Sequence, residues 1–251
     1  MSTPVPFIPV PATHEASTDL KSLSARLMGV IRSPRATLAA VAAHPRWVDV
    51  LVVSLVVTFI CGALLLATEV GQLALVDQFE RTALAFGQRV DDARYVELLD
   101  ASQHGVAYAA VSALASGPAL VFSITLLVYG IFTGVQRGNA RFVQVLAVVA
   151  HAGVILALRQ VVAAPLNYVR ETLASPTTLS LLFTGLDEAS PLARFFGILD
   201  LFVLWWAAVL ALGVAALYQR RARPLILSFI GAYVGLAALL ALAMALSGGT
   251  V

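Results

Sequence analysis

Five long apolar stretches dominate this 251-residue chain. Roughly 20 helical residues cross about 30 Å of hydrocarbon, and a helix satisfies its backbone polar groups within one segment. Spanning strands are excluded, because these stretches are too long and do not alternate in polarity. The sequence therefore predicts an all-α fold, a five-span transmembrane helix bundle. The predicted spans are Val48–Ala67, Ala107–Phe132, Phe142–Ala164, Phe195–Leu217 and Pro224–Leu246.

Composition limits what else the chain can contain. Only 12% of its residues are charged, about half the share of a soluble domain. We therefore expect one membrane domain over residues 48–246, preceded by an amphipathic interfacial segment over residues 20–47. Residues 1–19 are rich in proline, serine and threonine and are predicted to be a disordered tail, and residues 247–251 form a second short tail. A kink is expected in the second span at Gly117-Pro118.

The basic residues between the spans predict the orientation in the membrane. Ten lie before the first span and in the second and fourth connections, whereas five lie in the first and third connections. We therefore expect a cytoplasmic N-terminus, an outer C-terminus and a multi-pass protein of a bacterial inner membrane. The ten are Lys21, Arg26, Arg32, Arg35, Arg46, Arg137, Arg141, Arg220, Arg221 and Arg223, and the five are Arg81, Arg89, Arg94, Arg170 and Arg194.

The segment before the first span predicts two short helices. Apolar residues recur at helical spacing from Leu20 to Ile31, with Arg26 among the interspersed basic residues. Ser33-Pro34 is typical of a helix start, and His44-Pro45 ends the second helix. Two interpretations stay open: the first helix lies on the anionic cytoplasmic leaflet, or it packs on the bundle.

The outer connections also have helical patterns. Two amphipathic helices are predicted in Glu69–Gly105, with Asp91-Asp92 as a solvated helix start rather than a calcium loop. In the third connection, the apolar run Thr177–Phe183 is too short to span and is expected at the outer interface.

Arg159 and Asp200 are the charges that a membrane span accommodates least easily. Both lie about 8 Å below the outer boundary on consecutive antiparallel spans, at 1.5 Å per residue. By membrane-insertion scales, an unpaired charge at that depth costs on the order of a few kcal/mol. We therefore expect an ion pair that locks two helices. The alternatives are an Arg159 that snorkels outward and an ion relay. Exchanging the two charges is expected to restore the expression lost on neutralising either one.

His151 is a further polar residue within a predicted span, and Gln144 lies two turns away on the same face. A hydrogen bond to a neighbouring helix and a proton-shuttling role are the two interpretations. An intramembrane serine hydrolase would need Ser116 activated by His151 and an oxyanion hole. No nucleophile motif, phosphate-binding glycine loop or zinc-ligand spacing occurs in the sequence. We therefore predict neither a catalytic residue nor a cofactor or metal.

Small residues four positions apart are typical of closely packed membrane helices or of self-association into a homo-oligomer. The chain contains three such sets, which are Gly130 and Gly134, Gly231 and Gly235, and Ala109, Ala113 and Gly117.

Several apolar patterns resemble the bacterial branch of the Yip1-domain family, over about Leu23 to Leu246. They are the entry stretch Val30–Trp47, Arg141–Leu158, Val161–Tyr168, Ser175–Leu182 and Leu199–Trp206. The resemblance implies a non-enzymatic membrane protein, with eukaryotic relatives in vesicle trafficking and membrane shaping. Their Asp-Leu-Tyr-Gly-Pro signature is missing here, so the resemblance does not carry over a Rab GTPase partner.

Three functions follow as hypotheses. The first is a structural, membrane-organising or partner-binding protein that engages the bilayer, anionic lipid at the N-terminal segment and an unknown protein partner, but not nucleic acid. The second is a small ion or solute permease that uses Arg159, Asp200 and His151. The third is an intramembrane hydrolase. A water-filled cavity at His151 would favour the permease, and a close-packed bundle would favour the structural role.

Overall fold

The computed structural model of the chain describes residues 22–85, 88–183, 185 and 190–247. The predicted disordered tail lies outside the described residues, as does nearly all of the short C-terminal tail. Apart from one isolated bridge between Thr178 and Asp200, the regular elements of the described part are helices, and the predicted all-α class is confirmed. Its helices are α1 (Leu23–Arg32), α2 (Pro34–Ala43), α3 (Val48–Leu66), α4 (Glu69–Ala85), α5 (Asp92–Ser102), α6 (Gly105–Tyr129), α7 (Phe142–Ala152), α8 (Val154–Val169), α9 (Pro191–Ile198), α10 (Leu201–Leu217) and α11 (Ala222–Ser247).

Four helical segments of the described chain are long and apolar enough to cross a membrane. α10 is a fifth apolar helix, of 17 residues. α6 contains Pro118 and continues into a π-helical turn at Gly130–Val135, while Gly153 separates α7 from α8. The four segments are Val48–Leu66, Gly105–Val135, Phe142–Val169 and Ala222–Ala245.

The fourth predicted span was wrong in one respect, because Phe195–Leu217 is not a single helix. The chain leaves the helical conformation at Leu199 and Asp200, and α10 begins at Leu201. Leu199 and Leu201 instead form backbone hydrogen bonds with the third connection, at 2.8 and 3.0 Å. The Asp200 carboxylate then caps α10 by accepting from the N–H groups of Phe202 and Val203.

Helices α1 and α2 pack against the bundle. Ser33 precedes α2 and Pro34 is its first residue, as the sequence predicts. The buried face of α2 includes Leu38, which lies against Gly213 of α10 and is fully buried. Arg26 of α1 is also buried, so of the two interpretations left open the structure favours the one in which this helix packs on the bundle. Because the guanidinium forms an ion pair with the partly exposed carboxylate of Asp49, burial does not leave its charge unpaired.

The second and fourth connections meet at one end of the bundle, beside the end of α2, and we call this the basic end. Gln144 donates to the carbonyl of Ala42 at 2.9 Å, which joins the start of α7 to the end of α2. Thr133 and Tyr218 share a hydrogen bond of 2.8 Å between the second and fourth connections. Burial raises the pKa of the Tyr218 phenol.

The opposite end carries the first and third connections. Leu75 of α4 packs against Leu66, which is the last residue of α3, and Leu173 of the third connection joins the same cluster. Asp91 accepts a hydrogen bond from the N–H of Arg94 at 2.9 Å and begins α5, so this acidic pair starts a helix. The 3₁₀ turn Leu179–Leu182 lies within the predicted interfacial run.

Candidate functional site

One polar cluster joins α1 to the bundle. Arg26 of α1 forms an ion pair with Asp49 of α3, and one terminal nitrogen of its guanidinium lies 3.2 Å from Nε2 of His151 on α7. His151 has no solvent-exposed surface. We call Arg26, Asp49 and His151 the His151 cluster, and it ties three helices together.

The hydrogen bonds of His151 fix its protonation. A guanidinium only donates, so Nε2 must accept from Arg26. Nδ1 lies 2.8 Å from the carbonyl oxygen of Ala147 and must therefore carry the proton. Both nitrogens of a neutral ring are thus occupied, and His151 has no free group to pass a proton onward.

The sequence did not identify Arg26 and Asp49 as site residues. Arg26 has the spacing of an amphipathic surface helix, and Asp49 lies only two residues after Trp47, where an interfacial acid is unremarkable. The available signal was the lone acid at the start of an otherwise apolar stretch, together with a nearby unmatched arginine.

A second cluster surrounds the break before α10. The Nε of Arg159 donates to Oδ2 of Asp200 at 2.7 Å, and the hydroxyls of Ser175 and Thr177 donate to the same oxygen at 2.7 Å each. Arg159 also donates to Ser175 at 2.8 Å. The matching depths of Arg159 and Asp200 along their predicted spans thus indicated a pair that the structure brings together. We call these residues, with Tyr233, the Asp200 cluster.

Tyr233 of α11 completes the Asp200 cluster. Its hydroxyl donates to the carbonyl of Ile198 at 2.6 Å and accepts from the N–H of Asp200 at 3.1 Å. Both backbone groups belong to the break, where no helical partner is available. The side chain of Asp200 is only 4% exposed, so its charge is neutralised inside the protein rather than by water.

A cavity of about 210 Å³ lies beside Arg159, and we call it the Asn167 cavity. It is lined by the last turns of α3, by α8, by Gln78 of α4 and by the third connection. Asn167 is 9% exposed, and its Oδ1 has no hydrogen-bond partner among the described residues. His151 does not line this cavity.

The remaining candidates lie elsewhere. The hydroxyl of Ser116 donates to the carbonyl of Ser112 in its own helix, whereas His151 is occupied by Arg26 and Ala147. The sequence groups Ser116 with His151 as nucleophile and base, but their side chains have different partners. Within the described ranges, no group of three His, Cys, Asp or Glu side chains is arranged to hold a metal ion.

The small-residue sets differ in what they contact. Ala109 and Ala113 are buried, and a methyl group on Gly117 would collide with Leu55 of α3, so this set brings α6 and α3 close together. The other two sets do not pack closely within the described part of the chain, so self-association is the interpretation that stays open for them. Among the described atoms nothing lies within 4 Å of where their side chains would begin, because they face away from neighbouring helices. These residues are Gly130, Gly134, Gly231 and Gly235.

Comparison with known proteins gives one match. The Yip1 domain matches residues 28–246, which include both polar clusters apart from Arg26. No curated protein and no solved structure matches the chain.

Proposed function

The chain belongs to the Yip1 domain family, and from this premise we propose that it is a non-enzymatic membrane scaffold. Proteins of this family are generally non-enzymatic, transport-related membrane proteins. In the proposed role, the bundle is a rigid body that organises the surrounding lipid, and its basic end engages anionic lipid or a protein partner.

The fixed hydrogen-bond partners of Asp200 and His151 carry the proposal. Asp200 accepts from Arg159, Ser175 and Thr177, and His151 is enclosed between Arg26 and its own helix. A transport path needs groups that exchange partners with an ion or with water. Groups with fixed partners act as locks between helices instead, which is the behaviour expected of a scaffold.

The charge at the basic end supports the second half of the proposal. Five exposed arginines lie in the two connections that meet there or at the helix ends beside them. Each basic residue near an anionic membrane surface contributes about 1 kcal/mol of attraction. We infer that this end is cytoplasmic, in a bacterial inner membrane, because basic residues concentrate on that side. The five are Arg137, Arg141, Arg220, Arg221 and Arg223.

A small permease is the second candidate, and the Asn167 cavity beside Arg159 favours it. In that mechanism the ion pair with Asp200 would open and close around a solute. The two candidates make opposite predictions for flux, so one preparation tests both.

The experiment uses the full chain reconstituted into vesicles of phosphatidylcholine with a minority of phosphatidylglycerol. Energy transfer from labelled protein to labelled lipid reports which lipid gathers around it, and an internal pH dye reports proton flux. We expect enrichment of phosphatidylglycerol over phosphatidylcholine, with no flux above that of protein-free vesicles.

A variant with Arg137, Arg141, Arg220 and Arg221 changed to glutamine should lose the enrichment while remaining folded. A matched variant with Arg81, Arg89, Arg94 and Arg170 changed to glutamine, at the opposite end, should keep it. A proton flux that disappears in Asp200→Asn would overturn the scaffold and support the permease. Equal enrichment in both arginine variants would refute the role of the basic end.

A further inference from the structure

The Asn167 cavity has the size and position of a head-group site. Its volume of about 210 Å³ is far above the ~10–15 Å³ that one water needs, so one ordered water does not fill it. Leu65 and Leu66 at the end of α3 line it, which places it where a membrane span gives way to the polar region.

The polar lining needs a hydrogen-bond donor. The Oδ1 of Asn167 is buried without a partner, and a buried acceptor of that kind is unfavourable until a donor reaches it. The amide side chains of Gln78 and Gln160 line the same space. The cavity therefore offers an unused acceptor beside groups that can adapt as donor or acceptor.

The cavity also offers donors without a net charge. Two nitrogens of Arg159 bond to Asp200 and Ser175, yet a guanidinium has five N–H groups, so others remain for a ligand. The carboxylate of Asp200 already balances the arginine charge. A ligand with a full negative charge would find no unmatched cation among the described lining residues, whereas a zwitterion would be accommodated.

The surface beside the cavity suits acyl chains. Exposed apolar residues are adjacent in sequence to lining residues on both helices. They are Leu64 on α3 and Val161 and Leu166 on α8. The small residues Ala163 and Ala164 on α8 and Gly62 on α3 also line the cavity. A lipid could therefore place its head group in the cavity while its chains stay in hydrocarbon.

From these observations we propose that the Asn167 cavity binds the head group of a zwitterionic phospholipid that carries a phosphate and a primary ammonium. The ammonium donates to Oδ1 of Asn167, and a phosphate oxygen accepts from Arg159. Phosphatidylethanolamine has both groups. Phosphatidylcholine lacks the donor, and phosphatidylglycerol carries a net charge. The site goes beyond the proposed function, since its test measures neither lipid enrichment at the basic end nor flux.

Native mass spectrometry of the full chain in detergent tests the proposal. Phosphatidylethanolamine, phosphatidylcholine and phosphatidylglycerol with identical chains are added separately, and free phosphoethanolamine is added as a competitor. We expect phosphatidylethanolamine to be retained about tenfold more than phosphatidylcholine, the ratio typical of a hydrogen bond to a charged group. Free phosphoethanolamine at the same concentration should not displace it, because it lacks chains.

Asn167→Leu, which keeps the shape and removes the acceptor, should lower retention of phosphatidylethanolamine to the level of phosphatidylcholine. Ala164→Leu fills the cavity from a partly exposed position and should have the same effect, so the proposal does not depend on one variant folding. Gln136→Leu, an exposed amide at the basic end, is the matched control and should change nothing.

Three results would overturn the assignment. Equal retention of the ethanolamine and choline lipids would remove the role of the donor, and preferential retention of phosphatidylglycerol would show that the site selects negative charge. Displacement by free phosphoethanolamine would identify a soluble ligand instead of a lipid.

Discussion

Replacing Asp200 with asparagine should destabilise the bundle by about 3 kcal/mol, the lower part of the range for breaking a buried ion pair. The lower part applies because the side chain of Arg159 is 25% exposed and can recover some hydration. The substitution removes a carboxylate oxygen that accepts from Arg159, Ser175 and Thr177, so these donors lose their shared acceptor. An amide NH₂ at that position would face other donors.

The assay is thermal unfolding of the purified full chain in detergent, followed by tryptophan fluorescence. Trp205 and Trp206 lie just over a turn beyond Asp200 in α10 and report on this region. A loss of about 3 kcal/mol corresponds to a midpoint lowered by roughly 6–12 °C for a chain of this size. Asp200→Ala should be lower still by about 1 kcal/mol, because asparagine can still cap α10 whereas alanine cannot.

A double-mutant cycle separates the ion pair from general damage. Arg159→Gln alone leaves the carboxylate of Asp200 without its cation, and adding Asp200→Asn removes that imbalance. The double variant should therefore be more stable than the sum of the single losses, by about 1–3 kcal/mol. If the two losses simply add, the charges do not stabilise each other and the reasoning fails.

The Asp200 cluster also changes the expectation for a charge exchange. Opposite charges at matching depth predict that exchanging Arg159 and Asp200 restores expression. The hydrogen bonds show an asymmetric site, in which the carboxylate also caps α10 and accepts from two hydroxyls. A guanidinium at position 200 could do neither, so the exchanged protein should remain destabilised although the pair is real.

Three further predictions concern a close helix contact, an ion pair and a hydrogen-bonded tyrosine. Gly213→Ala should lower the free energy of unfolding by about 1–3 kcal/mol, because its methyl group would lie 2.5 Å from a Val148 methyl. Gly231→Ala, in open space, should be neutral or stabilising in the same melts. Equal losses in the two variants would contradict the packing. Arg26→Gln should release α1 and speed its amide hydrogen exchange about tenfold, with Arg32→Gln as the unaffected control; unchanged exchange would show that the pair is not the lock. Tyr233→Phe should cost about 1–3 kcal/mol by leaving two backbone groups at the break unpartnered, and a melt like that of the original chain would refute that role.

Local signals in the sequence were sufficient for much of the fold. Apolar length indicated the helices, because hydrocarbon leaves a backbone few alternatives. Ser33-Pro34 and Asp91 indicated helix starts, since capping depends only on neighbouring residues. Depth along consecutive helices brought Arg159 and Asp200 together, because that comparison needs only residue counts.

The break before α10 could not be predicted in the same way. Leu199 and Leu201 have the composition of a spanning helix, yet their backbone groups bond to a loop that precedes them by about 20 residues. Whether a polar residue caps a helix or lies inside one depends on such a competing partner. The sequence indicates that Asp200 is an intramembrane charge, but it does not indicate that the hydroxyls of Ser175 and Thr177 donate to it.

The sequence by itself determined that this protein lies in a lipid bilayer, because the number and length of apolar segments are properties of the chain alone. Only the tertiary structure decided which charges are buried, which glycines bring helices together and where the cavity lies. Arg26 and His151 are 125 residues apart, and Asn167 becomes an unpartnered acceptor only when α3 and α8 enclose it. The physical reason is that a hydrogen-bond partner or a close contact depends on distances in space between separate helices, which local propensity does not specify.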